Sequence, residues 1–266
     1  MIRVVDALGD AITLAAPARR VVPLIPSVTE TLFALGVGDR VVGCTTFCIH
    51  PADGLAAVPR IGGTKDPDVD RIAALAPDLV LANREENRRE DVERLRAVAP
   101  THVSYPRDVD GLLEYLDQLG ALLAAAPAAG RLRGEIAAAR EAHARDGAAP
   151  LRVVYLIWRK PWMAAAGDTF VDAMLRETGF VNVLADAPGR YPPFDLARCA
   201  ELKVDLVLLS SEPFPFDAEH RPEIAAAAGL PLERIQCVSG EAFSWFGVRT
   251  PHAFAEARRV RAAAGA

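Results

Sequence analysis

The sequence predicts an α/β protein made of two Rossmann-like lobes, each with a central parallel sheet, joined by a long rigid α-helix. Three observations carry that prediction. The first is an internal repeat: residues 71–81 and 198–208 agree at seven of eleven positions, ending in the shared run Asp-Leu-Val-Leu, at an offset of 127. The second is another match at an offset of 132, where residues 20–25 (RVVPLI) align with residues 152–157 (RVVYLI). A period of about half the chain marks duplication into two lobes, not a solenoid. The third is the rhythm of the chain, in which short continuous apolar runs alternate with helical patterns. Such runs are expected of strands buried on both faces of a parallel sheet.

The chain of 266 residues divides into an N-terminal lobe over 1–124, a connecting backbone helix over 125–148 and a C-terminal lobe over 149–266. Residues 2–14 alternate as a short hairpin turning at Gly9 and Asp10. Residues 21–25 form a buried strand. Ser27 and Glu30 have capping-box spacing and open a helix that runs to about Leu35. Residues 41–45 read as the next strand, followed by a polar and aromatic loop, 47–51. Asp68 caps the helix that carries Arg71, which Pro77 ends; 79–82 is a strand, 90–98 a helix and 103–105 a strand. Leu112, Leu116, Leu119 and Leu123 recur at helical spacing, and Leu132 and Ile136 continue the pattern after a break near Pro127.

The second lobe opens with a strand at 153–157. Asp168 is expected to cap a helix that Gly179 ends, and 181–184 is a strand. The repeated helix–strand unit covers 195–209, 235–238 is a strand, and a last helix starts with Pro251 in its first turn.

Composition excludes several partner classes. At 51% hydrophobic and 24% charged residues the chain is ordinary for a globular protein, and a net charge of −5 does not suit nucleic acid or an anionic membrane. The longest uncharged apolar run, 119–130, is too short to span a bilayer. The first residues lack a basic, apolar leader, which predicts a cytoplasmic address if Met1 is the native start; a periplasmic address, with a leader removed, is the alternative. Four cysteines are too few for a disulfide framework.

In open α/β sheets, ligands bind beyond the carboxyl ends of the strands. Two facing lobes would form a cleft from six loops. Uncommon residues gather there: Phe47, Trp158, Trp162, Phe214, Phe216, Trp245 and Phe246, in a chain only 6% aromatic. That suits a large flat or greasy ligand; packing at the lobe interface would account for the same residues. Asn83, Arg84, Glu85, Glu86, Arg159, Glu212 and Arg249 add polar groups, with arginines fitted to carboxylate or phosphate and a solvated rim as the plain alternative. The repeat makes Glu85 and Glu212 equivalent. Cys48, His50 and His220 are candidate ligands for a metal or for a cofactor's metal. Signatures of nucleotide-binding, hydrolase and zinc-protease sites are missing, although Gly62–Lys65 resembles the tail of a phosphate loop. Cys48 with a histidine would be the only nucleophile–base pair of an enzymatic reading.

The run from Arg20 to Glu30, the run from Asp70 to Val80 and the rigid helix between the lobes resemble the helical-backbone metal receptors. These are substrate-binding proteins of importers for cobalamin, ferric siderophores and haem. The resemblance implies a shallow cleft and little hinge motion, with Phe47 and Trp245 matching cleft aromatics of the cobalamin-binding member. Asn83 stands where that member has an aromatic. Docking on a permease through one glutamate per lobe is also implied, but those positions fall on Arg89 and Gly247, with Glu90 and Glu241 close by. The expected function is therefore a receptor, not an enzyme, for a corrinoid, haem or ferric chelate. The alternatives are an ordinary periplasmic importer component and a cytoplasmic enzyme acting through Cys48. No intrinsic cofactor is implied, and duplication within one chain makes a monomer sufficient.

Overall fold

The computed structural model describes residues 1–265. They form two compact units. The first contains Met1–Pro106 and Asp110–Glu135, and the second contains Arg107–Val109 and everything from Ile136 onwards.

The first unit begins with the antiparallel hairpin β1 (Ile2–Val5) and β2 (Ala11–Leu14), whose turn passes through Gly9 at φ 86°. A positive φ of this kind costs glycine little. The unit's sheet is β3 (Val21–Pro23), β4 (Leu79–Asn83) and β5 (Thr101–Ser104), all parallel, with β4 in the middle. Every residue of the three strands is buried, as the apolar runs of β3 and β4 require, and in β5 the polar Thr101, His102 and Ser104 are buried with Val103. Helices α1 (Pro26–Ala34), α2 (Ala52–Leu55), α3 (Val69–Ala74) and α4 (Arg89–Arg96) connect the strands, and α5 (Val109–Leu122) follows β5. Val22, Ile72, Val80, Leu95 and Val103 form the centre of its core.

The next helix, α6 (Ala126–Ala144), starts after Ala124 turns into the left-handed region at φ 48°, and Pro127 lies in its first turn. The helix contributes residues to both units. The second unit then builds a larger sheet in the order β10–β9–β6–β7. Its strands are β6 (Leu151–Trp158), β7 (Met163–Ala164), β9 (Leu206–Ser210) and β10 (Ile235–Val238), and β8 (Phe180–Asn182) pairs in parallel with the start of β6. Only β7 runs antiparallel. Its helices are α7 (Phe170–Glu177), α8 (Arg221–Ala228), α9 (Gly240–Ser244) and α10 (Thr250–Ala263).

The repeat has a structural cause. Asp78 accepts from the backbone N–H groups of Arg19 at 2.8 Å and Arg20 at 2.9 Å, and Asp205 accepts from that of Arg152 at 2.7 Å. Arg20 Nε donates to the carbonyl of Leu75, and Arg152 Nε donates to that of Leu202, the residue 127 positions later. Ala76 and Lys203 both take positive φ, 45° and 52°. Strand register agrees as well: Val21 pairs with Leu79, and Val153 pairs with Leu206. The repeated Arg and Asp residues therefore tie the turn before each second strand to the start of each first strand.

Five local expectations are corrected. Ser27 does not cap α1: Ile25 is the N-cap residue, without a side-chain bond, and Pro26 takes the first helical position. Proline suits that place because its missing N–H is one the helix leaves unpaired. Residues 41–45 are not a strand but two isolated bridges, Val41 to Val21 and Cys44 to Arg60, because the chain turns away after each contact. Thr169 caps α7, accepting from the Asp172 N–H at 3.0 Å in an extended conformation, whereas Asp168 sits at φ 56° and pairs with Arg107. The strand expected at 181–184 runs over Phe180–Asn182 instead. In the second copy of the repeat the helix shrinks to the 3₁₀ turn Leu196–Cys199, although Asp195 caps it as Asp68 caps α3.

Candidate functional site

In each unit the candidate residues lie on loops between its strands and helices. In the first unit, Phe47 is 59% exposed and Ile49 53%, while Cys48 between them is buried. Its sulfur lies 3.1 Å from Thr29 Oγ1 in the first turns of α1 and 3.2 Å from Thr45 Oγ1. Arg60 Nη1 donates to Cys44 Sγ at 2.9 Å and to the Cys48 carbonyl at 2.8 Å. The hydrogen bond with Cys44 brings the Cys48 thiol down to about 6, and Thr29 and Thr45 add to the effect against its burial. The same bond, together with burial, pushes Cys44 up. His50 is half-buried at the end of this loop.

The loop after β4 is arranged by a buried asparagine. Asn83 Oδ1 accepts from the N–H groups of Glu85 at 2.9 Å and Glu86 at 3.2 Å, and its Nδ2 donates to the Ser104 carbonyl at 3.2 Å. Its own N–H donates to Asn87 Oδ1 at 2.8 Å. Asn83 was expected to meet a ligand; instead its side chain builds the turn, as asparagine commonly does. The exposed Arg84 lies 5.0 Å over the Tyr105 ring. Lys65, at the end of the glycine-rich stretch, donates to the Glu85 carbonyl and stands 4.0 Å from the Glu86 carboxylate. No phosphate loop forms there, because Lys65 is turned onto this acidic loop.

In the second unit the loop aromatics divide into two groups. Trp158, the last residue of β6, is 41% exposed, with the half-buried Phe214 edge-on at 6.0 Å. Trp162 stacks on Phe216 at 6.2 Å, and the Arg159 guanidinium lies 5.9 Å over the Trp162 ring while pairing with Glu223 at 2.7 Å. Phe216 and Phe246, expected to be free for a ligand, are core residues. Phe216 joins the cluster around Val154 and Leu209, and Phe246 packs edge-on against Phe170 at 5.8 Å. Such rings gain more from burial than a solvated loop allows. His220 Nδ1 lies 2.8 Å from the Asp217 carboxylate and 3.2 Å from the Asp217 backbone nitrogen, and the ring packs edge-on against Phe214 and Phe216. Its role is to close its own turn.

A polar cluster follows β9 and β10. Ser244 Oγ donates to Glu212 Oε1 at 2.6 Å. Burial pushes the Glu212 carboxyl above its ordinary range, with the Glu241 charge adding to it and the Ser244 bond opposing it. Arg249 Nη1 reaches Glu241 Oε2 at 2.5 Å, and its guanidinium lies 5.4 Å over the ring of Trp245, the residue that ends α9. Tyr155 supports the cluster from below: its hydroxyl donates to Ser210 Oγ, which donates to the Glu212 carbonyl.

Among the described residues no three His, Cys, Asp or Glu side chains gather where they could hold a metal ion. The Cys48 sulfur is turned inward onto hydroxyls, and His220 is committed to Asp217. Sequence reasoning missed Arg60, Lys65, Ile49 and Tyr105. Only Lys65 carried a signal, in the glycines before it. Two hollows of the first unit, about 290 and 600 Å³, are lined from the hairpin side, by residues around His102 and Thr101, and include neither Phe47 nor Arg84. Among the described residues no helix is long and apolar enough to cross a membrane.

A family model described as periplasmic binding protein matches residues 21–226, from β3 into α8. The chain belongs to the periplasmic binding protein family. The matched region contains the first-unit loops and the Trp158–His220 region, whereas the Trp245–Arg249 loop lies beyond it. A vitamin B12-binding protein of Yersinia pseudotuberculosis serotype O:3 is 28% identical over 201 residues, covering 74% of this chain and 71% of that protein. The periplasmic haem-binding protein RhuT from Roseiflexus sp. RS-1 has a similar structure, with a TM-score of 0.79, 25% identity and coverage of 93% of this chain and 99% of that one. The periplasmic vitamin B12-binding protein BtuF of Vibrio cholerae matches with a TM-score of 0.80 at 21% identity, covering 94% and 98%, and shows the shared fold.

Proposed function

We propose that the chain is a receptor for a metal-containing or large aromatic small molecule of the corrinoid, haem or ferric siderophore class, and that it releases this ligand unchanged. The observation that carries the reading is the placement of aromatic and guanidinium groups on the loops of a binding-protein fold: the exposed Phe47, Trp158 and Arg84 and the half-buried Trp245–Arg249 pair. Flat rings take up a ligand's apolar surface, and the arginines receive its carboxylates or other anionic groups. Relatives named for vitamin B12 and for haem support the class as a whole.

An enzymatic role through Cys48 loses support, since a buried sulfur held by two hydroxyls is poorly placed to attack a large ligand. Family membership favours a periplasmic receptor of an importer over the cytoplasmic address expected from the first residues. For docking, Gly247 is buried and Arg89 pairs with Glu93 at 2.7 Å, while Glu90 is exposed; Glu90 is the better candidate in the first unit.

The test is a titration with cobalamins, haem and ferric siderophores, followed by tryptophan fluorescence corrected for inner-filter absorption. Saturable quenching by one class is expected. If none binds at tens of micromolar, the receptor reading fails.

A further inference from the structure

We propose that Cys44 and Cys48 are an oxidisable pair, which a hydroperoxide converts to a disulfide within the loop that presents Phe47 and Ile49. The geometry carries this. The two cysteines lie four residues apart on a turn closed by the Cys48 N–H on the Thr45 carbonyl at 3.2 Å, and both sulfurs point inward. One guanidinium nitrogen, Arg60 Nη1, holds both ends of the turn through Cys44 Sγ, the Thr45 carbonyl and the Cys48 carbonyl. Two threonine hydroxyls face the Cys48 sulfur from α1 and from the loop itself. One guanidinium thus bridges a turn that carries both thiols, the arrangement in which one sulfur attacks and the other resolves.

The other two cysteines have no such setting. Burial pushes Cys199 up to about 11 and also raises Cys237, whereas Cys48 is drawn down. Neither of them lies beside another cysteine in sequence.

The reaction balances in two steps. The Cys48 thiolate attacks one oxygen of hydrogen peroxide and the O–O bond breaks. The other oxygen leaves as hydroxide and takes up a proton to become water, leaving Cys48 as a sulfenic acid. The Cys44 sulfur then attacks the Cys48 sulfur, the S–O bond breaks, and the leaving hydroxide takes the Cys44 proton as a second water. Two thiols lose two electrons and the peroxide gains them.

The experiment uses the full chain, treated in native buffer with hydrogen peroxide, quenched, alkylated and digested with trypsin. Cys44 and Cys48 share the peptide 41–60, and Cys199 and Cys237 fall on others. The expected result is a 41–60 peptide lighter by two hydrogens that takes up alkylating reagent only after dithiothreitol. Cys199→Ser with Cys237→Ser should behave identically, and Cys44→Ser should leave Cys48 as a sulfenic acid that dimedone traps. The proposal is overturned if both thiols of peptide 41–60 remain alkylatable, if oxidation is confined to Cys237, or if Cys44→Ser yields no trapped sulfenic acid.

Discussion

The Asp205 carboxylate accepts the backbone N–H of Arg152 at 2.7 Å, and the Arg152 carbonyl accepts the N–H of Asp205 at 2.8 Å. This reciprocal pair joins the first residues of β6 to the turn before β9. Asp78 and Arg20 repeat it in the first unit. Asp205→Ala removes a hydrogen bond to a charged acceptor, of the kind that contributes about 1.5–3 kcal/mol. The unfolding free energy read from urea denaturation is expected to fall by about that amount, with a lower midpoint, and Asp78→Ala is expected to act likewise. An unchanged midpoint would show that the repeat has another cause.

Phe47 and Phe216 provide a contrast between a presented ring and a buried one. Phe216→Ala leaves a hole in the core beside Val154 and Leu209 and is expected to cost about 3–5 kcal/mol. Phe47→Ala removes a ring that is 59% exposed, so its stability should stay within about 0.5 kcal/mol while ligand affinity falls. Denaturation and titration of both variants test the division. A large loss of stability from Phe47→Ala would contradict it.

Trp245 and Arg249 act together, because the guanidinium lies over the ring and is held there by Glu241. Replacing both by alanine is expected to weaken binding at least about tenfold, the effect of losing one good anchor. Calorimetry with the ligand class identified by the titration reads this directly. Unchanged affinity would move the site elsewhere on these loops.

Glu212 imparts a pH dependence. Its folded carboxyl titrates above its ordinary value of 4.5 because burial disfavours the charge. The folded state therefore holds more protons than the unfolded state in the window just above 4.5, and stability falls as pH rises through it. Glu212→Gln keeps an acceptor for Ser244 and has no charge to bury, so its stability should decline less across that window. Urea midpoints at several pH values between about 4 and 7 test this, and parallel curves would refute it.

The candidate site was partly legible for reasons that particular residues show. Exposed Trp158 and Phe47 stood out because rare aromatics fell in expected loops, Trp158 at the end of β6 and Phe47 after the bridges at Val41 and Cys44. Phe216 and Phe246 looked the same in sequence, yet one loop folds back onto β-sheet core and the other onto α7. Nothing local in a Phe-Pro-Phe or Trp-Phe-Gly run says which ring turns inward. Asn83 read as a polar group near a ligand and proved to be a turn builder, because its partners, Ser104 and Asn87, come from β5 and from the end of its own turn. Arg60 gave no signal at all: its contacts with Cys44, Thr45 and Cys48 depend on a chain path that only folding sets.

The sequence by itself determined the duplicated α/β architecture and the position of its main buried strands, though not all of their ends. Those features follow from local patterning: continuous apolar runs, capping residues such as Asp68, and a repeat whose Arg and Asp carry the same backbone bonds in each unit. Tertiary structure alone decided which loop side chains face out. That choice depends on contacts between segments far apart in the chain: Cys48 on Thr29, Phe246 on Phe170 and Glu212 on Ser244. The balance between burying a ring or a sulfur and leaving it in water is settled by those partners, not by its neighbours in sequence.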